Sequence, residues 1–355
     1  MKRSMPLIAA LALLLSLAGP RSLQASIAPP VKDSAPKTQR SAPEIRRTAI
    51  TYNIAFGLIP KSVKRFDAWA PLPWKNDVQE ISDLTMQAPG GGTMGIEGVN
   101  GNLVFHSSSG PRGGVDFNVI LRFVVERHAI RFEDLSRPPS DPPEPPKNLA
   151  IYLQGSRLAP IDAKVKSLAE RVVRKGKTVQ EKARAIFDYV VDNMTLSQAK
   201  DGWGEGNLQY VLDNHMGNSL DVGTLFVSLC RGAGIPARTD VGFILPRNST
   251  SGIVSGFYAW AEFWLPGFGW IPVDPTAAIA KPSARNAYFA ALGADHVLMS
   301  VGRDLILNPP QEGSPLNVLI GPYAEADGKP FPNSAFKIRF EKAAPAPDKT
   351  SPASP

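Results

Sequence analysis

Two spacings of apolar residues divide the chain. Between residues 44 and 135 they recur at every second position. In "TAITYNIAFGL", Ile50, Tyr52, Ile54, Phe56 and Leu58 share one face, and in "FNVILRFVVER", Phe117, Val119, Leu121, Phe123 and Val125 do the same. Side chains of a strand alternate between its two faces, so this pattern gives one face to a core and the other to water. Gly/Ser clusters ("PGGGTMG", "SSSGPRGG") punctuate the region. The expectation is an all-β, sandwich-like domain over residues 44–135.

The spacing changes after "RPPSDPPEPP", residues 137–146, which holds six prolines. That composition predicts a stiff linker over 136–147. Beyond it, "PIDAKVKSLAERVVRKG" has apolar residues at 165, 168, 169, 172 and 173, with Asp162 placed to cap and Gly176 to stop a helix. "TVQEKARAIFDYVVDNM" opens on Thr178 and Glu181, the spacing of a capping box. "NSLDVGTLFVSLCRGAGIP" predicts a third helix burying Val222, Leu225, Phe226, Leu229 and Cys230. Strands follow. "FYAWAEFW" and "WIPVD" flank "LPGFG" as a hairpin with a five-residue loop, 265–269, and later strands are expected at "HVLMSVG", "LNVLIG" and "AFKIRFE". Helices first and antiparallel strands second is an α+β order. The second domain is placed at 148–341, and no internal repeat is found.

The ends differ in kind. "MKRSMPLIAALALLLSLAGPRSLQAS" joins a charged start to a short apolar run and small residues near Ala25, which reads as a signal peptide over 1–25. The run is too short for a comfortable membrane span, and no integral membrane segment is expected after cleavage. A secreted or periplasmic protein follows. Residues 26–43 and 342–355, rich in proline and polar residues, are expected to be a disordered leader and tail.

Charge removes one class of partner. The net charge is +7, but residues 1–47 hold eight basic and two acidic residues, leaving 31 basic against 30 acidic in the rest. The excess belongs to the amino-terminal arm, not to a binding face, so nucleic acid is not expected. One cysteine and four scattered histidines show no metal-ligand spacing, and neither metal nor cofactor is expected.

The combination of "ARAIFDYVVDN", "GNSLDVGTLFVSLCRGAGIPAR" and "GFYAWAEFWLPGFGWIPVDPT" over residues 180–276 resembles the transglutaminase-like superfamily, whose fold is related to papain. Weaker similarity, from "AWAPLPWKNDVQ" to "GRDLILNPPQ" and "PLNVLIGPYAEADGK", looks like bacterial secreted members with an amino-terminal β domain. The resemblance implies a cysteine at a helix amino terminus, a histidine on the first hairpin strand and an aspartate after the second. In this chain those positions hold Ser219, Tyr258 and Asp274. The hairpin spacing independently pairs 264 with 270. Tyr258 and Asp274 are then diagonal neighbours on one face, about 7–8 Å apart at Cα. Tyr258, Trp260, Glu262 and Trp264 share that strand face.

Chemistry then argues against catalysis. A serine needs a base to take its proton, and a tyrosine, with an ordinary pKa near 10, is protonated at neutral pH. Loss of triad members commonly costs about 10⁴–10⁶ in rate. Cys230, about 16 Å along the helix from Ser219, reads as core. His215 reads as a loop residue, and His296, His106 and His128 lie outside the matched segment. Asp221 reads as serving the first turn of its helix. Trp203 and Trp260 are candidates to line a cleft, Trp203 by resemblance, with packing as the alternative for it. The expected function is an exported, inactive transglutaminase-like module that binds a peptide, protein or envelope component. Two alternatives stand beside it: an acyl-transfer or peptide-hydrolysing enzyme using Ser219, and an architectural envelope component with an empty cleft.

Overall fold

The computed structural model describes residues 44–345, save 111–113, 115, 198–203, 320 and 333, together with the backbone of Ser22–Gln24. The rest of the signal-like segment, the 26–43 leader, Trp203 and residues 346–355 lie outside the described residues.

The molecule is α+β, built of a sandwich and a helix-covered sheet. The long alternating segments form adjacent antiparallel strands, Ile45–Leu58 and Asp116–His128. They lie at the centre of a six-stranded sheet whose order is 22–24, 79–87, 116–128, 45–58, 335–342 and 251–253. A five-stranded sheet, in the order 329–330, 323–326, 66–71, 103–109 and 93–96, is the other layer. Ile50, Tyr52, Ile54 and Phe56 from the first layer pack with Phe66, Ala68 and Phe105 from the second. Alternation therefore put the expected side of each strand inside, except at Leu58, which lies past an irregularity in the pairing after Ala55 and is exposed.

The extent of this sandwich corrects the expected boundaries. The strand Ala335–Lys342 pairs with Ile45–Leu58 along its length, Lys342 opposite Thr48 and Ala335 opposite Ala55. Tyr323–Ala326 pairs with Phe66–Pro71. Residues 323–342 thus belong to the amino-terminal sheets rather than to the 148–341 unit. Past it, Ala343 N–H donates to the Arg47 carbonyl, and Arg47 Nε donates to the Ala344 carbonyl. The described residues of "LNVLIG" form no strand; Leu316 makes only a single bridge to Leu305.

The second unit starts as its sequence predicts. Helix α1, Ala163–Val173, is capped by the Asp162 carboxylate, which accepts from Val165 N–H. Helix α2, Val179–Asn193, opens on the Thr178–Glu181 capping box. Short α3, Leu208–Asn214, leads into α4, Ser219–Gly232. Helix α4 is buried on all sides from Ser219 to Cys230, because α1, α2 and α3 surround it and a sheet lies beneath. That sheet is fully antiparallel, ordered 269–273, 258–265, 237–244 and 296–301. The hairpin register is the expected one, with Trp264 opposite Trp270. Pairing continues to Leu265 and Gly269, so the turn has three residues, 266–268, not five. Ala261, Phe263 and Ile271 face α4, while Phe243, Val297 and Met299 reach into the sandwich core. The units share their interior.

Candidate functional site

Ser219 is the first residue of α4. Its position is set by Asn218, whose side chain accepts from Leu220 and Asp221 N–H. Asp221 reaches back and accepts from Asn218 N–H at 3.0 Å. It also accepts from Gly204 N–H at 2.7 Å and Gly206 N–H at 2.9 Å, tying the 204–206 turn to the helix. A Cβ at Gly217 would fall 2.3 Å from that of Asp221, so the chain passes close enough only without a side chain there. Asp221 therefore serves the first turn, as its sequence position implies. The Ser219 hydroxyl accepts from Ala259 N–H at 3.1 Å, which joins the helix tip to the strand Tyr258–Leu265.

Next to Ala259, the hydroxyl of Tyr258 donates to Asp274, 2.9 Å from Oδ1 and 3.1 Å from Oδ2. Burial, and after it the Asp274 carboxylate, raises the Tyr258 pKa far above the ordinary phenol range. The phenol stays protonated. Asp274 is 1% exposed and also caps the short helix α5, Pro275–Ala280, accepting from Ala277 N–H at 2.8 Å. "DPT" is a start signal for such a helix, a capping carboxylate followed by proline at the first position.

The structure adds His296, which sequence spacing had set aside. Its Nε2 lies 3.3 Å from Asp274 Oδ2 and its Nδ1 lies 3.1 Å from Asp295 Oδ1. Both ring nitrogens face carboxylates, and only the imidazolium donates from both. Burial pushes the His296 pKa down, but its bonds and charge interactions with the two aspartates outweigh burial and raise it overall. Asp295 is in turn held by Arg247, with Nε 2.7 Å from Oδ2. The Asp295 pKa is lowered: burial opposes this, and the hydrogen bonds and charges of His296 and Arg247 overcome it. A continuous line results: Tyr258, Asp274, His296, Asp295, Arg247. Its members come from separate strands and loops. The one local signal, "DH" at 295–296, does not say which carboxylate lies across the sheet.

Other expected residues fall elsewhere. Trp260 is 1% exposed and packs edge-on to His296, with centroids 5.3 Å apart. It is core and lines no open cleft, because its strand face is covered by Trp74, Leu292 and Leu298. Cys230 is buried, which raises its thiol pKa well above the usual range. His215 ends α3 in the left-handed conformation, φ 52°. Among the described residues, no group of three or more His, Cys, Asp or Glu is placed to hold a metal, and no helix is long and apolar enough to cross a membrane.

The chain carries a transglutaminase-like domain: residues 166–275 match the transglutaminase-like superfamily. An uncharacterised protein of Haemophilus influenzae is 26% identical over 82% of this chain and 89% of its own length. A protein-glutamine gamma-glutamyltransferase of Pseudomonas aeruginosa is 30% identical, but over only 26% of this chain and 14% of that protein. Among solved structures, one from Cytophaga hutchinsonii, described as a candidate cysteine protease, superposes with a TM-score of 0.56. It is 16% identical and covers 87% of this chain and 96% of its own, a likeness of fold across both units.

Proposed function

We propose that this protein is an exported, catalytically inactive transglutaminase-like module, a pseudoenzyme that binds a peptide, protein or cell-envelope component. The observation that carries the reading is the Tyr258–Asp274 bond. A protonated phenol stands on the aspartate to which the resemblance assigns a histidine, and a phenol with a raised pKa does not take a proton from serine. The imidazole nearby, His296, has both nitrogens committed to carboxylates and accepts no proton from Ser219. Export rests on the charged and apolar order of residues 1–25.

The test is covalent labelling of the purified mature protein with serine-directed and thiol-directed probes, alongside assays of amine incorporation, deamidation and peptide hydrolysis. No labelling of Ser219 and no turnover are expected. Labelling abolished by Ser219→Ala would overturn the reading in favour of the serine enzyme. A cellular role that survives Ser219→Ala with Tyr258→Ala supports binding over chemistry.

A further inference from the structure

Beside His296 and Arg247, at one end of the bonded line, lies a cavity of about 280 Å³. Its rim carries Arg131, Arg247 and Lys281 against a single carboxylate, Glu44, and His296 forms part of its floor. The side chains of Arg131 and Lys281 meet no hydrogen-bond or ion-pair partner among the described residues. Arg247 is fixed instead, because Asp295 holds it. Gly293 leaves room for that pair, since a Cβ there would sit 2.1 Å from Asp295 Oδ1 and 2.8 Å from an Arg247 nitrogen. Four alanines, Ile130, Leu292 and the ring of Tyr288 supply the apolar part of the wall.

The charges set the ligand class. Arg131, Arg247, Lys281 and the His296 imidazolium are four cations. Glu44 at the rim and Asp295 and Asp274 behind the floor are three anions. Arg46, whose charge also acts on Glu44 and Asp295, adds to the cations, so the cavity favours an anion. A guanidinium fork matches a planar carboxylate, and the alanine wall leaves space for a short apolar body next to it. A cavity of this size, just below the usual range of small-ligand pockets, holds a small molecule or the end of a peptide, not an extended chain.

We propose that this cavity binds a small carboxylate carrying a short apolar body, as a free small acid or as the carboxyl terminus of a peptide ending in alanine. The site is separate from the Ser219 helix tip, and the proposal stands whether or not that serine is reactive.

Calorimetric titration of the full mature chain tests it, with acetyl-Ala-Ala as the free acid, its amide, propionate and inorganic phosphate as probes. The acid should bind at least about tenfold more tightly than the amide, a difference of about 1.4 kcal/mol. Arg131→Gln combined with Lys281→Gln should remove that preference. Both residues are exposed, so the thermal midpoint should hold, and its measurement separates lost binding from lost folding. Tighter binding of the dipeptide acid than of propionate assigns a peptide terminus; equal binding assigns a free small acid. The proposal is overturned if acid and amide bind alike, if phosphate displaces the acid at equal concentration, if the double variant binds unchanged, or if neither carboxylate binds.

Discussion

The amino end of α4 and the strand cluster facing it are built by opposite means. At the helix, Asn218, Asp221 and Gly217 lie within five residues, and a single carboxylate collects the N–H groups of 204, 206 and 218. Across from it, the Tyr258–Asp274 pair of one hairpin meets the Asp295–His296 pair only because a strand from further along the chain joins the same sheet. The helix end satisfies backbone donors. The cluster alternates charges, each carboxylate lying between two donors. The lesson is that the support of the helix tip does not depend on the groups opposite it, because the two rest on different residues.

The largest expected effect tests the helix side. Asp221→Ala removes the acceptor of three backbone donors at a fully buried position. At about 1–3 kcal/mol for each unsatisfied group, a loss of about 4 kcal/mol is expected in urea denaturation. A change under about 1 kcal/mol would mean that the 204–206 turn is not held by this carboxylate.

His296→Leu comes next, with an expected loss of about 3 kcal/mol, since it leaves Asp274 and Asp295 without their shared cation. This loss should depend on pH. The His296 pKa is raised above 6.5 in the folded protein, so its contribution is full below about pH 6.5 and is lost as pH rises through the folded value. Denaturation of both proteins at about pH 6 and about pH 9 should therefore show the gap narrowing at the higher pH. A constant gap would make His296 a packing residue.

Tyr258→Phe should cost less, about 1 kcal/mol, because Asp274 keeps Ala277 N–H and His296 as donors. Asn218→Ala should cost a similar amount, about 1 kcal/mol, as the loss of a helix cap. If the tyrosine change costs more than the histidine change, the order of dependence within the cluster is reversed.

What could be read from the sequence follows the same division. The caps at Asp162 and Thr178, the alternation of the sandwich strands, and the 264–270 register each depend on residues close in the chain, and each was legible. The Tyr258–Asp274 contact was legible for that reason too, since one hairpin fixes it. His296 was not, because its partner lies 22 residues away on a different strand and nothing in the spacing encodes strand order. Trp260 was misplaced as a cleft residue because Trp74, from the other unit, covers it. The return of 323–342 to the first sheets was hidden for a simpler reason: alternation shows that a segment is a strand, but not which sheet receives it.

That return has a consequence for how the chain acquires its shape. Glu341 pairs with Ala49 and Phe340 with Ile50, so one side of the strand Ile45–Leu58 stays open until the last described strand has been made. An open strand side is a template for wrong pairing, and contacts this distant in sequence form late. The amino-terminal sandwich, first to leave the ribosome, cannot finish by itself while the rest is synthesised. The last strand acts as a clasp, and a chain cut before residue 335 would leave its earliest sheet unclosed.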